Sequence, residues 1–567
     1  MNAYTDYLLI AIMSGIFCVG LAHKGMPIGH DLIYEVTRVA EYTNSLKNGG
    51  FPVRWSKNLE RGCGEPIFNF FPPLFLTVSS IQILLGFSIV TAIKGSIFLF
   101  TFASGIGMYM FAKEFYSRGL IVSCAYIFAP YHMVNVYIRN AYSEYAACSM
   151  APFVFWGIAL VCKERKIKSY SIFLLSASGA LFALSHNLSL LMYTPLFVIF
   201  FALNMILNRN WKSILSILAS GALAFLLSAF YILPVLLEKE FIQTWQLTIG
   251  KFDIAKNFAT VSSLFGMISS EHWYSLTPFS LVLFSLVLTV MIFKKKKINQ
   301  ALYANLCLFI GFLIILLFLT TSLSSFIWET FPFMKLFQFP WRLLSPVTFV
   351  ICFLAGSIMF FENTCLRLPP REEKKDRFKF CLPTTLIVMF AIGVVCVFFF
   401  TRNSSRYVIM PDAEFSDENI QEKNLRATVL FEYRPIWVKE NHELPFGKGL
   451  ISSCLGAKIE EIRSSTTIGE YKVLLPEKAI LTANIHFFPG WTIYNNGNPV
   501  SFKITPHGLM EFWLPPGSHN LKIVFENTPV RLTGNFLSLL GLFVFGMIIF
   551  TAFMPRLKTK YNAIFKA

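Results

Sequence analysis

Apolar runs long enough to cross a bilayer recur along the whole chain, at about 7–22, 73–90, 92–112, 119–138, 146–162, 169–185, 188–207, 213–235, 276–293, 300–320, 344–361, 380–400 and 532–553. A helix needs roughly 20 apolar residues to cross the hydrocarbon core, where every backbone N–H and C=O must be satisfied within the segment. With 55% hydrophobic and 16% aromatic residues among 567, the chain is too apolar for a soluble globular fold. It reads as an all-α polytopic membrane protein.

The formal charge of +17 does not point to nucleic acid. Its Lys and Arg sit in short blocks between apolar runs, at 113–118, 163–168, 209–212, 294–297, 367–379 and 556–560. Cytoplasmic loops of membrane proteins carry such blocks. The 11 cysteines fall mostly inside apolar runs (Cys18, Cys124, Cys148, Cys307, Cys352, Cys396), without CxxC or metal-ligand spacing. They read as small core residues rather than a disulfide framework or zinc site. The first run lacks a basic flank and a small-residue cleavage site, so it is expected to be a retained span.

Loop parity shapes the topology. If every basic block faces the cytoplasm, a crossing at 73–90 would put loop 23–91 opposite the turn at 139–145. We therefore expect the run that begins at Pro72-Pro73-Leu74 to lie along or dip into the interface, leaving about twelve true spans. Loop 23–91, the turn 139–144, His186-Asn187, loop 236–275 and segment 331–342 then share the exoplasmic face. Residues 402–531 change character, with short β-branched and aromatic runs at 479–487, 491–494, 500–504, 510–514 and 521–525 between turns such as Asn496-Gly497. The expected organisation is a transmembrane module over 1–400, a small extracytoplasmic β domain over 402–531, and a last transmembrane helix with a basic cytoplasmic tail over 532–567.

The unusual residues of the exoplasmic face are the candidate site. In a helix, Asp31, Glu35 and Arg38 would share one stripe, two carboxylates beside a guanidinium. An N-capping Asp ahead of a solvated helix face accounts for the same residues. Glu144 at the bilayer edge must be paired or line an aqueous cavity, and Arg139 is the obvious partner for a structural ion pair. His186-Asn187 would also serve as polar groups at helix ends. In Gln338-Phe339-Pro340-Trp341-Arg342, Trp341 suits an interfacial belt, and Arg342 suits a lipid phosphate or a snorkelling anchor. No GxGxxG, P-loop, HExxH or GxSxG pattern occurs.

Gly29-His30-Asp31, Gly50-Phe51-Pro52-Val53-Arg54-Trp55, the stretch 64–73 from Gly64-Glu65-Pro66, Ala129-Pro130-Tyr131, Arg139-Asn140-Ala141-Tyr142-Ser143-Glu144, Ser185-His186-Asn187 and Gln338-Phe339-Pro340-Trp341-Arg342 follow in order. This series resembles the bacterial membrane-protein family labelled 6-pyruvoyl-tetrahydropterin synthase-related. It is also similar to YfhO-like membrane proteins, whose trailing domain resembles the stretch from Phe488-Pro489-Gly490-Trp491 to His519. Both families resemble GT-C glycosyltransferases, which use a polyprenyl-phosphate sugar and an acidic residue of the first exoplasmic loop. This chain departs from the pattern at Glu35, where members often have His four residues after the loop Asp.

The resemblance implies a bacterial inner-membrane enzyme, active on its exoplasmic face. It would move a sugar from a polyprenyl-phosphate donor to a cell-envelope glycan or lipid acceptor, among membrane lipids and with no nucleic acid. Asp31 would be the base, with Glu35 a second carboxylate. Arg342 would hold the leaving phosphate, assisted by Arg139 or His186. Glu144 would position that machinery or help hold a divalent cation, magnesium or manganese. The motifs further place Arg54, Trp55, Asn187, Gln338 and Trp341 among the residues facing the donor. A transporter or flippase of lipid-linked sugars is the rival class, and it requires charged residues near mid-depth in several spans. A non-catalytic envelope assembly protein is the third.

Overall fold

A computed structural model describes residues 3–248, 253–265, 298–358, 384–403, 406–439 and 449–564. The apolar run at 276–293 and the basic blocks at 294–297 and 367–379 lie outside the described residues, as do parts of loop 236–275 and of run 344–361.

Seven described helices are long and apolar enough to cross a membrane: Ile89–Lys113, Gly119–Arg139, Tyr142–Lys163, Asn187–Leu207, Ser213–Leu237, Gln300–Thr320 and Pro529–Thr551. Shorter apolar helices are Tyr4–Phe17, Pro73–Leu84, Ser169–Ala183, Pro340–Ala355 and Met389–Thr401. The chain is a membrane protein whose helices interlock through aromatic rings. Phe155 stacks on Phe349 at 4.3 Å, and Phe309 meets Phe353 at 4.5 Å. Such ring pairs supply dispersion contacts in a setting where lipid competes with simple apolar burial.

The run at 73–90 is broken. Helix Pro73–Leu84 opens on a proline, whose missing N–H costs nothing in the first turn. It stops before Gly86 (φ 100°), and Ser88 then caps the next helix by accepting from the Thr91 N–H. Twelve residues rise about 18 Å at 1.5 Å each, short of a hydrocarbon core of about 30 Å. This helix packs under Leu32–Lys47, through Thr43 Oγ1 to Ser80 Oγ at 2.8 Å, and against the following span, through Ser79 Oγ to Ser96 Oγ at 2.8 Å.

Helix Tyr142–Lys163 runs between the two ends of the bundle. At its far end Lys163 pairs with Glu114 at 2.7 Å. At its near end the backbone N–H groups of His30 and Asp31 donate to the carbonyls of Ile138 and Arg139. The loop before helix Leu32–Lys47 is thus sewn to the turn before Tyr142.

Two antiparallel sheets form the carboxy-terminal region. One has the order Leu450–Ser452, Ala479–His486, Leu509–Leu514, Lys503–Ile504. The other has the order Lys458–Ser464, Ile468–Leu475, Gly517–Phe525, Trp491–Asn495, Asn498–Pro499. Leu481, Met510 and Phe512 of the first meet Val473, Ile493 and Ile523 of the second in one core, so the sheets pack as a sandwich. Segment 406–439 is instead spread over the membrane-side loops. Tyr407–Val408 pairs with Met26–Pro27, Asp417 accepts from Asn44, and the Ala427 carbonyl accepts from Arg38.

Candidate functional site

The site forms where the segment from Gly119 ends. Pro130 interrupts the helix, Val134–Arg139 winds as a π-helix, and Asn140 turns the chain at φ 56° into Tyr142–Lys163. A π-turn re-aims side chains by opening the helical spacing. Here it lets Arg139 fold back onto Asn135 and Tyr131. Arg139 Nη1 donates to Asn135 Oδ1 at 2.6 Å and to the Tyr131 hydroxyl at 3.2 Å, while Nη2 pairs with Glu144 at 2.9 Å. Its guanidinium also lies 4.7 Å from the Trp341 ring centroid. The other oxygen of Glu144 accepts from the Tyr131 hydroxyl at 2.7 Å. The Arg139–Glu144 structural pair foreseen from the sequence therefore exists, and both groups are buried.

Arg342 closes the cluster from the other side. Its Nη1 donates to Gln338 Oε1 at 2.7 Å and to the Phe337 carbonyl at 3.2 Å, while its Nε sits 4.0 Å from Glu144 with no hydrogen-bond partner. Gln338 adopts φ 61° to reach it, a region sparsely used by residues other than glycine. Both terminal nitrogens of Arg139 are thus engaged by the protein, whereas only one terminal nitrogen of Arg342, Nη1, has hydrogen-bond partners among the described residues. His186 caps helix Asn187–Leu207, accepting from the Ser189 N–H at 3.2 Å, and its ring lies within reach of the charges of Glu144, Arg342 and Arg139. Asn187 faces the loop instead, donating to the Phe70 carbonyl and accepting from Tyr231.

Asp31 is the N-cap of helix Leu32–Lys47, half-buried, and its side chain makes no capping bond. Among the described residues its carboxylate has no hydrogen bond or ion pair, although its charge is felt at His30, Glu35, Arg139 and Arg342. Gly29 lets the loop approach this closely, because a Cβ there would run into the Asn140 side chain and the Ile138 carbonyl. Burial and the neighbouring Arg139 hold the His30 imidazole below its usual range. Glu35 is buried and paired with Arg38 at 2.7 Å, one turn on, and burial raises its carboxyl despite that partner. Arg38 in turn lies over the Phe71 ring at 4.3 Å. The stripe expected from the sequence is therefore split between a free Asp31 and a tied Glu35–Arg38 pair.

The structure brings Asp31, Arg139, Glu144, His186, Gln338, Trp341 and Arg342 to one end of the bundle. Arg54 and Trp55 are placed elsewhere. Arg54 donates to Asn69 Oδ1, the Phe230 carbonyl and Asn535 Oδ1, and Trp55 packs on Trp491 and Phe525 of the sandwich. Tyr131 carried no role in the sequence reading, although its motif was visible. Its position between Arg139 and Glu144 depends on the π-turn, which has no sequence signature. Glu144 Oε1 accepts from Tyr131 and Oε2 is ion-paired with Arg139, and no group of three His, Cys, Asp or Glu side chains is placed to hold a metal among the described residues. Magnesium or manganese, offered above as one of two alternatives for Glu144, finds no fitting donor set here among the described residues, and no step below uses one.

Residues 68–408 match the family described as "6-pyruvoyl-tetrahydropterin synthase related domain; membrane protein", and the chain belongs to that family. No curated protein matches it. Among solved structures, arabinofuranosyltransferase AftD from Mycobacteria is similar at 16% identity and a TM-score of 0.41, over 71% of this chain and 27% of that one. Arabinosyltransferase EmbB from Mycobacterium smegmatis is similar at 10% identity and a TM-score of 0.36, over 93% and 63%. The chain thus spans little more than a quarter of the AftD chain and less than two thirds of EmbB.

Proposed function

We propose that this protein is a GT-C-type glycosyltransferase, which moves a sugar from a polyprenyl-phosphate donor to a cell-envelope glycan or lipid acceptor on the exoplasmic side of a bacterial inner membrane. The observation that carries the reading is the contrast among three carboxylates. Glu35 and Glu144 are held by arginines, whereas Asp31 is accessible, unbonded and electrostatically coupled to Arg342. A general base needs a free lone pair within reach of the acceptor.

Asp31 takes the proton of the acceptor hydroxyl as that oxygen bonds to the anomeric carbon. The bond from that carbon to the phosphate oxygen breaks, and its electron pair leaves with the polyprenyl phosphate. The open donors of Arg342 meet the charge that develops there. Arg139, Glu144 and Tyr131 hold Arg342 and the loop of Asp31 in register, and the Trp341 ring covers the Arg139 guanidinium. Among the described residues, Asp31, Arg139, Glu144 and Arg342 gather at one end of the bundle, which favours transfer over transport.

Substituting Arg342 tests the phosphate role. A guanidinium can engage two phosphate oxygens at once, an ammonium only as a point charge. With a radiolabelled polyprenyl-phosphate sugar, Arg342→Lys is expected to keep part of donor binding and to lose turnover by about 100-fold, and Arg342→Ala to lose both. A fully active Lys variant would show that Arg342 merely anchors the helix end.

A further inference from the structure

A second site lies where the membrane-side loop meets the sandwich. A cavity of about 170 Å³ opens there, lined by Trp55, Lys57, Arg61, Glu461, Tyr471 and Trp491. It has room for several waters or for one sugar ring.

Three features set this cavity apart from a packing defect. Trp491 is only 5% exposed, yet its indole Nε1 has no hydrogen-bond partner among the described residues, and a buried donor left without a partner is costly. The Tyr471 hydroxyl lies against Gly449 and Gly469, where any Cβ would crowd it. Glu60 and Arg61 stand in succession at φ 54° and 57°, an arrangement rarely tolerated outside functional turns. That turn brings Arg61 to the cavity with no hydrogen bond or ion pair among the described residues. Lys57, already bonded to Ser464 at 2.5 Å, and Glu461 complete the rim.

We propose that this cleft is a saccharide-binding site that holds one sugar unit of a glycan. The lining mixes ring edges with donors and acceptors of both charge signs. Lys57 and Arg61 would attract a phosphate, but the Glu461 carboxylate opposes it and the apolar ring edges would gain nothing from it, while an acyl chain would strand the polar rim. A sugar ring, with hydroxyls all round and apolar C–H faces, satisfies both halves of the lining. The site deepens the transfer reading, since it names where an acceptor glycan would be held. Loop 55–71 leads from Trp55 to Phe70, whose carbonyl accepts from Asn187, the residue after His186.

The test uses the full-length protein in detergent micelles, titrated with the methyl glycosides of a pentofuranose, a hexose, an N-acetylhexosamine and a uronic acid, and read by tryptophan fluorescence. At least one glycoside is expected to bind saturably, with affinity reduced about tenfold in Lys57→Ala and in Glu461→Gln. Glu461 is exposed and Lys57 half-buried at the cleft rim, so both variants are first checked for an unchanged melting temperature. Trp491→Phe keeps an aromatic ring but removes the indole N–H and is expected to weaken binding as well, whereas Arg342→Ala should bind like the wild type. Saturable binding with no sugar transfer would leave this inference standing and overturn the transfer reading. Transfer without saturable binding of any of the four, or binding unchanged in all three cleft variants, would overturn the inference alone.

Discussion

Asp31, Glu35 and Glu144 have the same chemistry, and their roles are separated by who holds their oxygens. Spacing alone put Asp31 and Glu35 on one helical stripe. The helix begins at Leu32, however, so Glu35 pairs with Arg38 three residues on while Asp31 stays outside as the cap. The Arg139–Glu144 pair was legible because an ionisable group at the bilayer edge needs a partner and only one stood nearby. Tyr131 was not, since nothing in the sequence announces the π-turn that aims Arg139 at it. If Glu144 is structural, Glu144→Gln strands the Arg139 guanidinium in a buried site. That is expected to cost about 3–5 kcal/mol, whereas Arg139→Met combined with Glu144→Leu costs less than Glu144→Gln alone. Thermal melting of the purified variants decides this, and equal losses in single and double variants would dismiss the pairing.

At the scale of elements, the apolar runs placed the long helices well, because a span must be a single helix satisfied within itself. The run at 73–90 was ambiguous by hydropathy alone. The prolines at its start and Gly86 near its end show physically why its helix stops after 12 residues. Asn48 and Arg165, both exposed, should consequently face opposite sides of the membrane. Cysteines placed at the two positions and labelled with an impermeant reagent in right-side-out vesicles should differ in access, and equal access would refute the topology. Strand Lys458–Ser464 escaped the sequence reading because it is an edge strand with nearly every side chain exposed. Charges such as Glu460 and Arg463 protect such an edge and erase its alternation.

Across the whole molecule, the sandwich is held to the membrane helices by residues hundreds of positions apart, which no local pattern reveals. Arg531 binds Glu238 at 3.0 Å and the Pro489 carbonyl at 2.9 Å, and Asn69 donates to the same Glu238 while accepting from Arg54. Arg54 and Trp55 belong to this seam, although their motif suggested the donor site. His486 lies in the seam too, bonded to the Gly64 carbonyl at 3.0 Å and pushed down to about 3, first by burial and then by Arg434. The unfolded chain therefore takes up the proton first, so this residue's contribution is intact above about pH 6.5 and lost as pH falls toward 3. Relative to His486→Gln, the wild type should lose up to about 1.4 kcal/mol per pH unit below pH 6.5. Parallel melting curves from pH 7 to 5 would show that the ring is not held neutral.

The central claim is that Asp31 is the base, and Asp31→Asn tests it most directly. The substitution keeps the shape of the side chain and removes its proton-accepting oxygen, and among the described residues no hydrogen bond or ion pair depends on that carboxylate. Transfer from a radiolabelled polyprenyl-phosphate sugar, measured with purified variant of unchanged melting temperature, is expected to fall by about 100- to 10,000-fold while donor binding persists. Transfer at a near-normal rate would contradict the account and leave Asp31 as no more than the cap of its helix.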